Sequence, residues 1–223
     1  MILSPPLGDD ATLVERLRAT GMMVVATGAI TGATGLPSVG IDERSAASAM
    51  TAHLLALGHR RIGFVTGRGN HASAPLRFQG YRIALEAAGL APDPALVADG
   101  LYTYQSGLDA AERLLSLQAR PTAIFASNDD MAAAAIAVAH RHGIDVPSQL
   151  SICGFDDSPL ATTIWPPLTT IRQPTVELTQ TALEMVLRGL SQRDRAPASS
   201  TPEQVQLDHL LVRRASVAPA RTP

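Results

Sequence analysis

Between residues 42 and 155 the chain alternates short, continuously apolar runs with longer stretches in which apolar positions recur every three or four residues. Arg61-Ile62-Gly63-Phe64-Val65-Thr66 is one such run, stopped by Gly67, and its lack of polar alternation predicts a strand buried on both faces. In the stretch before it, Asp42 to Leu57, residues Ala47, Met50, Leu54 and Leu57 fall at helical spacing; Asp42 is placed to cap the start and Gly58 ends it. A loop follows the strand, then a helix from Ser73 to Ala88 closed by Gly89. The pattern repeats with strands over Leu96–Asp99, Thr122–Ala126 and Ser151–Phe155. Between them fall helices over Gln105–Leu117 and Asp129–His142, the second ended by Gly143. Strands separated by helices of this length predict βαβ units on a parallel sheet, with right-handed crossovers placing helices on both faces.

The two ends of the chain do not complete this unit. Residues 1–40 predict a strand (Met1–Leu3), a helix (Ala11–Thr20) and a second strand (Met22–Thr27). Residues 174–190 predict a further helix, starting at Pro174 and ending near Gly189. A polar stretch rich in Ser, Pro and Arg follows (Ser191–Pro202), then one strand over Gln204–Arg213 and a tail, 215–223, expected to be disordered.

Composition narrows the function. Of 223 residues, 46% are apolar and 17% charged, so a sizeable core can be buried, while the net charge of −2 gives no basic surplus for gripping DNA phosphates. Cys153 is the single cysteine, which excludes an internal disulfide and favours a reducing compartment. The first residues lack the basic start and long apolar run of a secretory signal, and Met131–Ala139 is too short to span a bilayer. A cytoplasmic protein without a membrane segment is expected.

In an open parallel sheet ligands collect at the carboxyl ends of the strands. Four loops qualify: Gly67–Arg77, Gly100–Tyr104, Ser127-Asn128-Asp129 and Asp156-Asp157. They concentrate His71, Ser73, Arg77, Tyr102, Tyr104, Asn128 and Asp156. Arg, Asn and Asp supply fixed donors and acceptors suited to the hydroxyls of a sugar ring, and a tyrosine can cover its apolar face. Structural roles compete at each position: Asp129 as a helix N-cap, Asp157 in a turn, Arg77 in a surface ion pair, Tyr104 as a solvated loop aromatic. Signatures of catalysis are thin. The chain has no G-x-S-x-G, Walker lysine or H-E-x-x-H sequence. Gly67-Arg68-Gly69 follows a strand as a phosphate loop would but lacks the third glycine, and His140 and His142 stand two apart, a poor metal pair. Neither a metal nor a cofactor is expected, and no catalytic residue is assigned.

Five segments, in order, resemble the LacI/GalR-type (lactose-repressor-like) transcription regulators. They are Leu54-Leu55-Ala56-Leu57-Gly58-His59-Arg60-Arg61-Ile62-Gly63-Phe64; Arg77-Phe78-Gln79-Gly80-Tyr81; Pro121-Thr122-Ala123-Ile124-Phe125-Ala126-Ser127-Asn128-Asp129-Asp130-Met131-Ala132; Val146-Pro147-Ser148-Gln149-Leu150-Ser151-Ile152-Cys153-Gly154-Phe155-Asp156-Asp157; and Pro167-Leu168-Thr169-Thr170-Ile171-Arg172-Gln173-Pro174. The likeness covers roughly residues 1–215. It implies an α/β fold like that of periplasmic binding proteins, two Rossmann-like lobes with parallel sheets and a ligand cleft between them. Residues 1–41 plus 174–202 would form the N-terminal lobe, and 42–173 plus 203–214 the C-terminal one.

By the same resemblance Arg77 corresponds to the arginine that grips the effector, and Asn128 and Asp156 to two further polar contacts. Tyr102 falls where an aromatic stacks on the ligand, and His71 and Ser73 lie on the loop that tunes its identity. Gly28 stands where an acidic contact is frequent. Met1 aligns inside the N-terminal lobe, so that lobe is expected to be incomplete and the helix-turn-helix absent. DNA would then be reached only through a headpiece outside this chain. The expected function is sensing of a small-molecule effector, a carbohydrate or similar polyol, by a homodimeric repressor. A transport-type sugar-binding protein and an α/β sugar or nucleotide enzyme are the alternatives.

Overall fold

A computed structural model of the chain describes residues 1–28, 30, 34–192 and 202–221. In chain order the elements are β1 (Ile2–Leu3), α1 (Ala11–Ala19), β2 (Val25–Thr27), β3 (Ser38–Ile41), α2 (Glu43–Ala56) and β4 (Ile62–Val65). They continue with α3 (Ser73–Ala87), β5 (Val97–Ala98), α4 (Tyr104–Leu115), β6 (Ala123–Ala126), α5 (Asp129–Arg141) and β7 (Ser151–Cys153). The last are α6 (Leu160–Thr163), β8 (Thr170–Arg172), α7 (Thr175–Gln192), β9 (Gln204–Leu207) and β10 (Leu210–Val212). Two compact units result: Met1–Asp42 with Asn70–Ser73 and Pro174–His209, and Glu43–Gly69 with Ala74–Gln173 and Leu210–Pro223.

The first unit is built on a parallel sheet in the order β1-β2-β3-β9. Because side chains alternate along a strand, Val25 and Val39 meet α7 on one face, while Leu3 and Val24 join Val14 of α1 in the other layer. Helix α7 turns Leu178, Ala182, Met185 and Val186 to the sheet, the i, i+4, i+7, i+8 stripe of an amphipathic helix. Helix α1 starts where the Asp10 carboxylate accepts from the amides of Thr12 and Leu13, which satisfies donors a helix leaves open.

The second unit carries a parallel sheet in the order β5-β4-β6-β7. All residues of β4, β6 and β7 are buried, as their continuous apolar runs require. The chain leaves β4 outward to β5 on one side and then crosses to β6 on the other. The carboxyl ends of β4 and β6 therefore diverge into loops that run to opposite sides, which makes the gap between them the switch point of the sheet. Phe64, Phe78, Tyr81 and Phe125 form an aromatic cluster behind it, with the Tyr81 hydroxyl donating to the Ile62 carbonyl at 2.8 Å. Helices α4 and α5 approach closely because α5 turns Ala132, Ala134, Ala135 and Ala139 inward, and α4 offers Gly107 at the contact.

Several expectations are corrected. The segment 204–213 is not one strand: β9 pairs in parallel with β3 in the first unit, and β10 pairs antiparallel with β8 in the second. Strands β3 and β8 are absent from the reading of the sequence, since Ser38-Val39-Gly40-Ile41 and Thr170-Ile171-Arg172 are too short and mixed to stand out. The tail is ordered at least through Arg221. Ser216 is fully buried and bonds Ile152 and Pro167, the Ala220 amide donates to the Leu57 carbonyl, and the Ala218 carbonyl meets His59 Nε2 at 3.0 Å. His59 spans from Ala218 to Thr122 Oγ1 with its two ring nitrogens, and burial holds its pKa below the usual range. Most of the polar stretch 191–202, and residues 222–223 of the tail, lie outside the described residues.

A β-carbon at Gly107 would lie 2.6 Å from Met131 Cα and 2.8 Å from Ala134 Cβ. In a free helix Gly→Ala gains about 1 kcal/mol, whereas overpacking costs about 1–3 kcal/mol. Gly107→Ala is expected to destabilise by up to about 2 kcal/mol in urea denaturation, the overpacking cost less the helix gain; a raised midpoint would contradict the close contact.

Candidate functional site

Arg77 lies in the first half of α3, behind the switch point of the second unit, and its side chain is only 5% exposed. Its Nε donates to Glu43 Oε2 at 2.7 Å and its Nη2 to Glu43 Oε1 at 3.3 Å. Nη1 donates to the Ser127 carbonyl at 2.5 Å. The guanidinium carbon lies 3.6 Å from the centre of the Phe155 ring and 5.9 Å from that of Tyr102, so the cation is flanked by aromatic faces. A guanidinium has five N–H donors, and among the described residues these bonds engage three, leaving one on Nη1 and one on Nη2. Nη1 faces Asp156 Oδ1 at 3.8 Å. Burial works against the charge, but Glu43 and Asp156 outweigh it and keep Arg77 firmly protonated.

The carboxyl of Asp156 is 38% exposed and accepts from Gln173 Nε2 at 2.7 Å. Burial among protein atoms pushes it up to about 6, against the pull of Arg77 and the Gln173 bond. Asn128 uses both ends of its amide. Oδ1 accepts from the Met131 amide and caps α5, while Nδ2 donates to the Tyr102 carbonyl at 3.1 Å. Among the described residues, Tyr102, Asp156 and Asp157 are the non-glycine residues with positive φ, at 60°, 110° and 55°. Such backbone costs about 1–3 kcal/mol per residue and persists where surrounding contacts enforce it. All three fall at the carboxyl end of this sheet.

The structure thus brings Arg77, Tyr102, Asn128 and Asp156 together. His71 and Ser73 belong to the segment Asn70–Ser73 of the first unit, where the Ala72 amide donates to the Asp9 carboxylate; Ser73 also opens α3. Arg77 is no surface ion pair but a buried one. Asp129 is not the N-cap of α5, since Asn128 is. The Asp129 carboxyl instead accepts from the Thr170 hydroxyl at 2.6 Å and the Ser158 amide at 2.7 Å, and burial raises its pKa. Asp157, though partly buried, is held below the usual carboxylate range by bonds from Arg172 and Arg214. Gly67 has a different duty from a phosphate loop. A β-carbon there would sit 2.0 Å from Tyr102 Cζ, so the glycine seats the tyrosine ring.

Reading the sequence missed Glu43, Phe155, Ser127 and Gln173 as parts of the site. Glu43 stands 34 residues from Arg77, and no local pattern connects them. Among the described residues no group of His, Cys, Asp or Glu is arranged to hold a metal ion, and no helix is long and apolar enough to cross a membrane.

The fold, an α/β domain with polar groups gathered at its strand ends, is the one that comparison finds. The periplasmic binding protein-like domain family matches residues 51–217. Catabolite control protein A of Priestia megaterium is 36% identical over 182 residues, which is 80% of this chain and 54% of that protein. Among solved structures, the complex of the transcriptional regulator CelR with cellobiose superposes with a TM-score of 0.88 at 31% identity, covering 96% of this chain and 64% of that one. A LacI-family regulatory protein from Chloroflexus aggregans gives a TM-score of 0.84 at 30% identity, covering 97% and 75%. The chain belongs to the periplasmic-binding-protein-like family and, within it, to the LacI family of transcriptional regulators. It spans about half the length of the curated relatives it matches.

Because the folded pKa of Asp156 lies above the usual value of 3.8, the folded protein holds a proton the unfolded chain releases. The stability contributed by this group is therefore complete below about pH 4 and is lost as pH rises towards about 6. Carboxyl-carbon NMR is expected to show a titration near pH 6 that is missing in Asp156→Asn; a midpoint near 4 would contradict the burial described.

Proposed function

We propose that this chain is the effector-sensing part of a LacI-type transcriptional repressor and that it binds a carbohydrate or similar polyol at the carboxyl ends of β4–β7. The carrying observation is Arg77, held rigid by Glu43 and Ser127 with two N–H donors remaining beside the half-exposed Asp156 carboxyl. Donors and an acceptor fixed a few ångströms apart suit neighbouring ring hydroxyls, and their fixed positions reduce the entropy lost on binding. Tyr102 supplies an aromatic face, and Asn128 holds the Tyr102 loop in register with α5. The bound cellobiose of the regulator CelR supports a saccharide ligand for this family member.

Binding would shift the balance between two states of the sensor and so change the grip of the whole protein on DNA. The net charge of −2 fits DNA contact made by another part of that protein. Self-association as a dimer is supported by large apolar groups left at the surface: Trp165 is 79% exposed, and α7 presents Val176, Leu183, Leu187 and Leu190. The relatives are regulators and not enzymes, and we assign the protein a non-catalytic role in the cytoplasm.

The test is ligand-induced stabilisation, measured by differential scanning fluorimetry and calorimetry with cellobiose and a panel of neutral mono- and disaccharides. A ligand at 100 times its Kd raises stability by about 2.7 kcal/mol. Asp156→Ala, and the double variant Arg77→Ala/Glu43→Ala that removes the buried pair together, are expected to remain folded. Each should weaken binding about 10–100-fold, the worth of a hydrogen bond to a charged group. Undiminished stabilisation in both variants would refute the site.

A further inference from the structure

The charges around Arg77 bear on which chemical class of effector the site admits, a question that rests on the sensor reading above. Glu43 meets the guanidinium through both carboxylate oxygens and is itself only 2% exposed. Beside that pair the Asp156 carboxyl stands towards solvent, at 38% exposure. Behind it stand Asp129, buried and bonded to Thr170 and Ser158, and Asp157, matched by Arg172 and Arg214. Arg77 is thus already neutralised, and with the carboxyls ionised the group as a whole has no positive charge to spare. An unpaired arginine offers bidentate capture of a phosphate; a paired one beside a carboxylate offers hydrogen bonds to neutral oxygens and repels an anion.

We infer that Glu43 sets the charge class of the effector: by engaging Arg77 it makes the site accept uncharged polyhydroxyl ligands and reject their phosphate esters. Glu43 touches no ligand in this scheme. It is a positioning residue that determines specificity, acting through the orientation and the charge of Arg77. Like charges brought together at a binding surface cost several kcal/mol, so a phosphate ester should bind about 100-fold or more weakly than its parent sugar.

The experiment is isothermal titration of the whole chain at low salt with matched pairs: D-glucose against glucose 6-phosphate, D-ribose against ribose 5-phosphate, and inorganic phosphate alone, with cellobiose as a further neutral ligand. In the unaltered protein at least one neutral sugar is expected to bind, with its phosphate ester about 100-fold weaker. Glu43→Gln keeps the shape and one acceptor for Arg77 while removing the charge. It should narrow that ratio about tenfold or more, with phosphate binding that weakens as salt is added. Asp156→Asn, which leaves the Arg77–Glu43 pair intact, provides a second removal of negative charge and should narrow the ratio even if Glu43→Gln does not fold. A phosphate ester that binds the unaltered protein as tightly as its parent sugar overturns the inference, as does a ratio unmoved in the folded variants. Absence of binding by every sugar and phosphate tested overturns the sensor reading, and this inference falls with it.

Discussion

A guanidinium withdrawn from water has to be met by fixed acceptors, and in this protein the pairing of Arg77 with Glu43 meets that demand. Desolvating two such ions costs several kcal/mol each, and only near-ideal geometry offsets it; removing one partner of a buried pair typically costs about 3–5 kcal/mol. The pair here is bidentate, buttressed by the Ser127 carbonyl and laid against Phe155. It ties the start of α2 to α3 and to the loop after β6. The site therefore depends on the same contact that fixes three connections of the unit, and an effector would meet donors whose direction is already set.

The position of this pair follows from topology. The sheet order β5-β4-β6-β7 opens a gap where loops leave in opposite directions, and polar groups can gather there without breaking the apolar layers behind. Backbone strain gathers at the same end, with Tyr102, Asp156 and Asp157 in the left-handed half of conformational space. Glycines serve it by absence of a side chain: Gly67 makes room for the Tyr102 ring, and Gly154 for the Asp129 carboxyl. The far end of the sheet is closed instead by the C-terminal segment, with Ser216 and Ala218 bonded to Ile152, Ser151 and His59.

The βα alternation from residue 42 to residue 155 was legible because buried parallel strands and amphipathic helices carry different apolar periods, and Gly58, Gly89 and Gly143 punctuate it. A parallel sheet places its ligands at one end of its strands, which marked out the loops that hold Arg77, Tyr102, Tyr104, Asn128 and Asp156; the choice of Arg77, Asn128 and Asp156 among them came from the resemblance to LacI-type regulators. Less legible were β3 and β8, which depend on neighbours for pairing, and the tail after residue 214, whose alanines and prolines look featureless until Ser216 is buried. A polar residue at a helix start suggests a cap, but whether Asn128 or Asp129 takes that duty depends on Thr170, which is distant in sequence.

By itself, then, the sequence determined the local periods, the strand-end loops and the residue types gathered there, since these depend on spacings of a few residues. The tertiary structure alone decided that Arg77 is buried, that Glu43 from 34 residues away neutralises it, that Phe155 lies beneath it, and that the segment 204–213 is divided between two sheets. The reason is physical: the cost of desolvating a charge and the pairing of a short strand are both settled by groups far away along the chain, which no local pattern encodes.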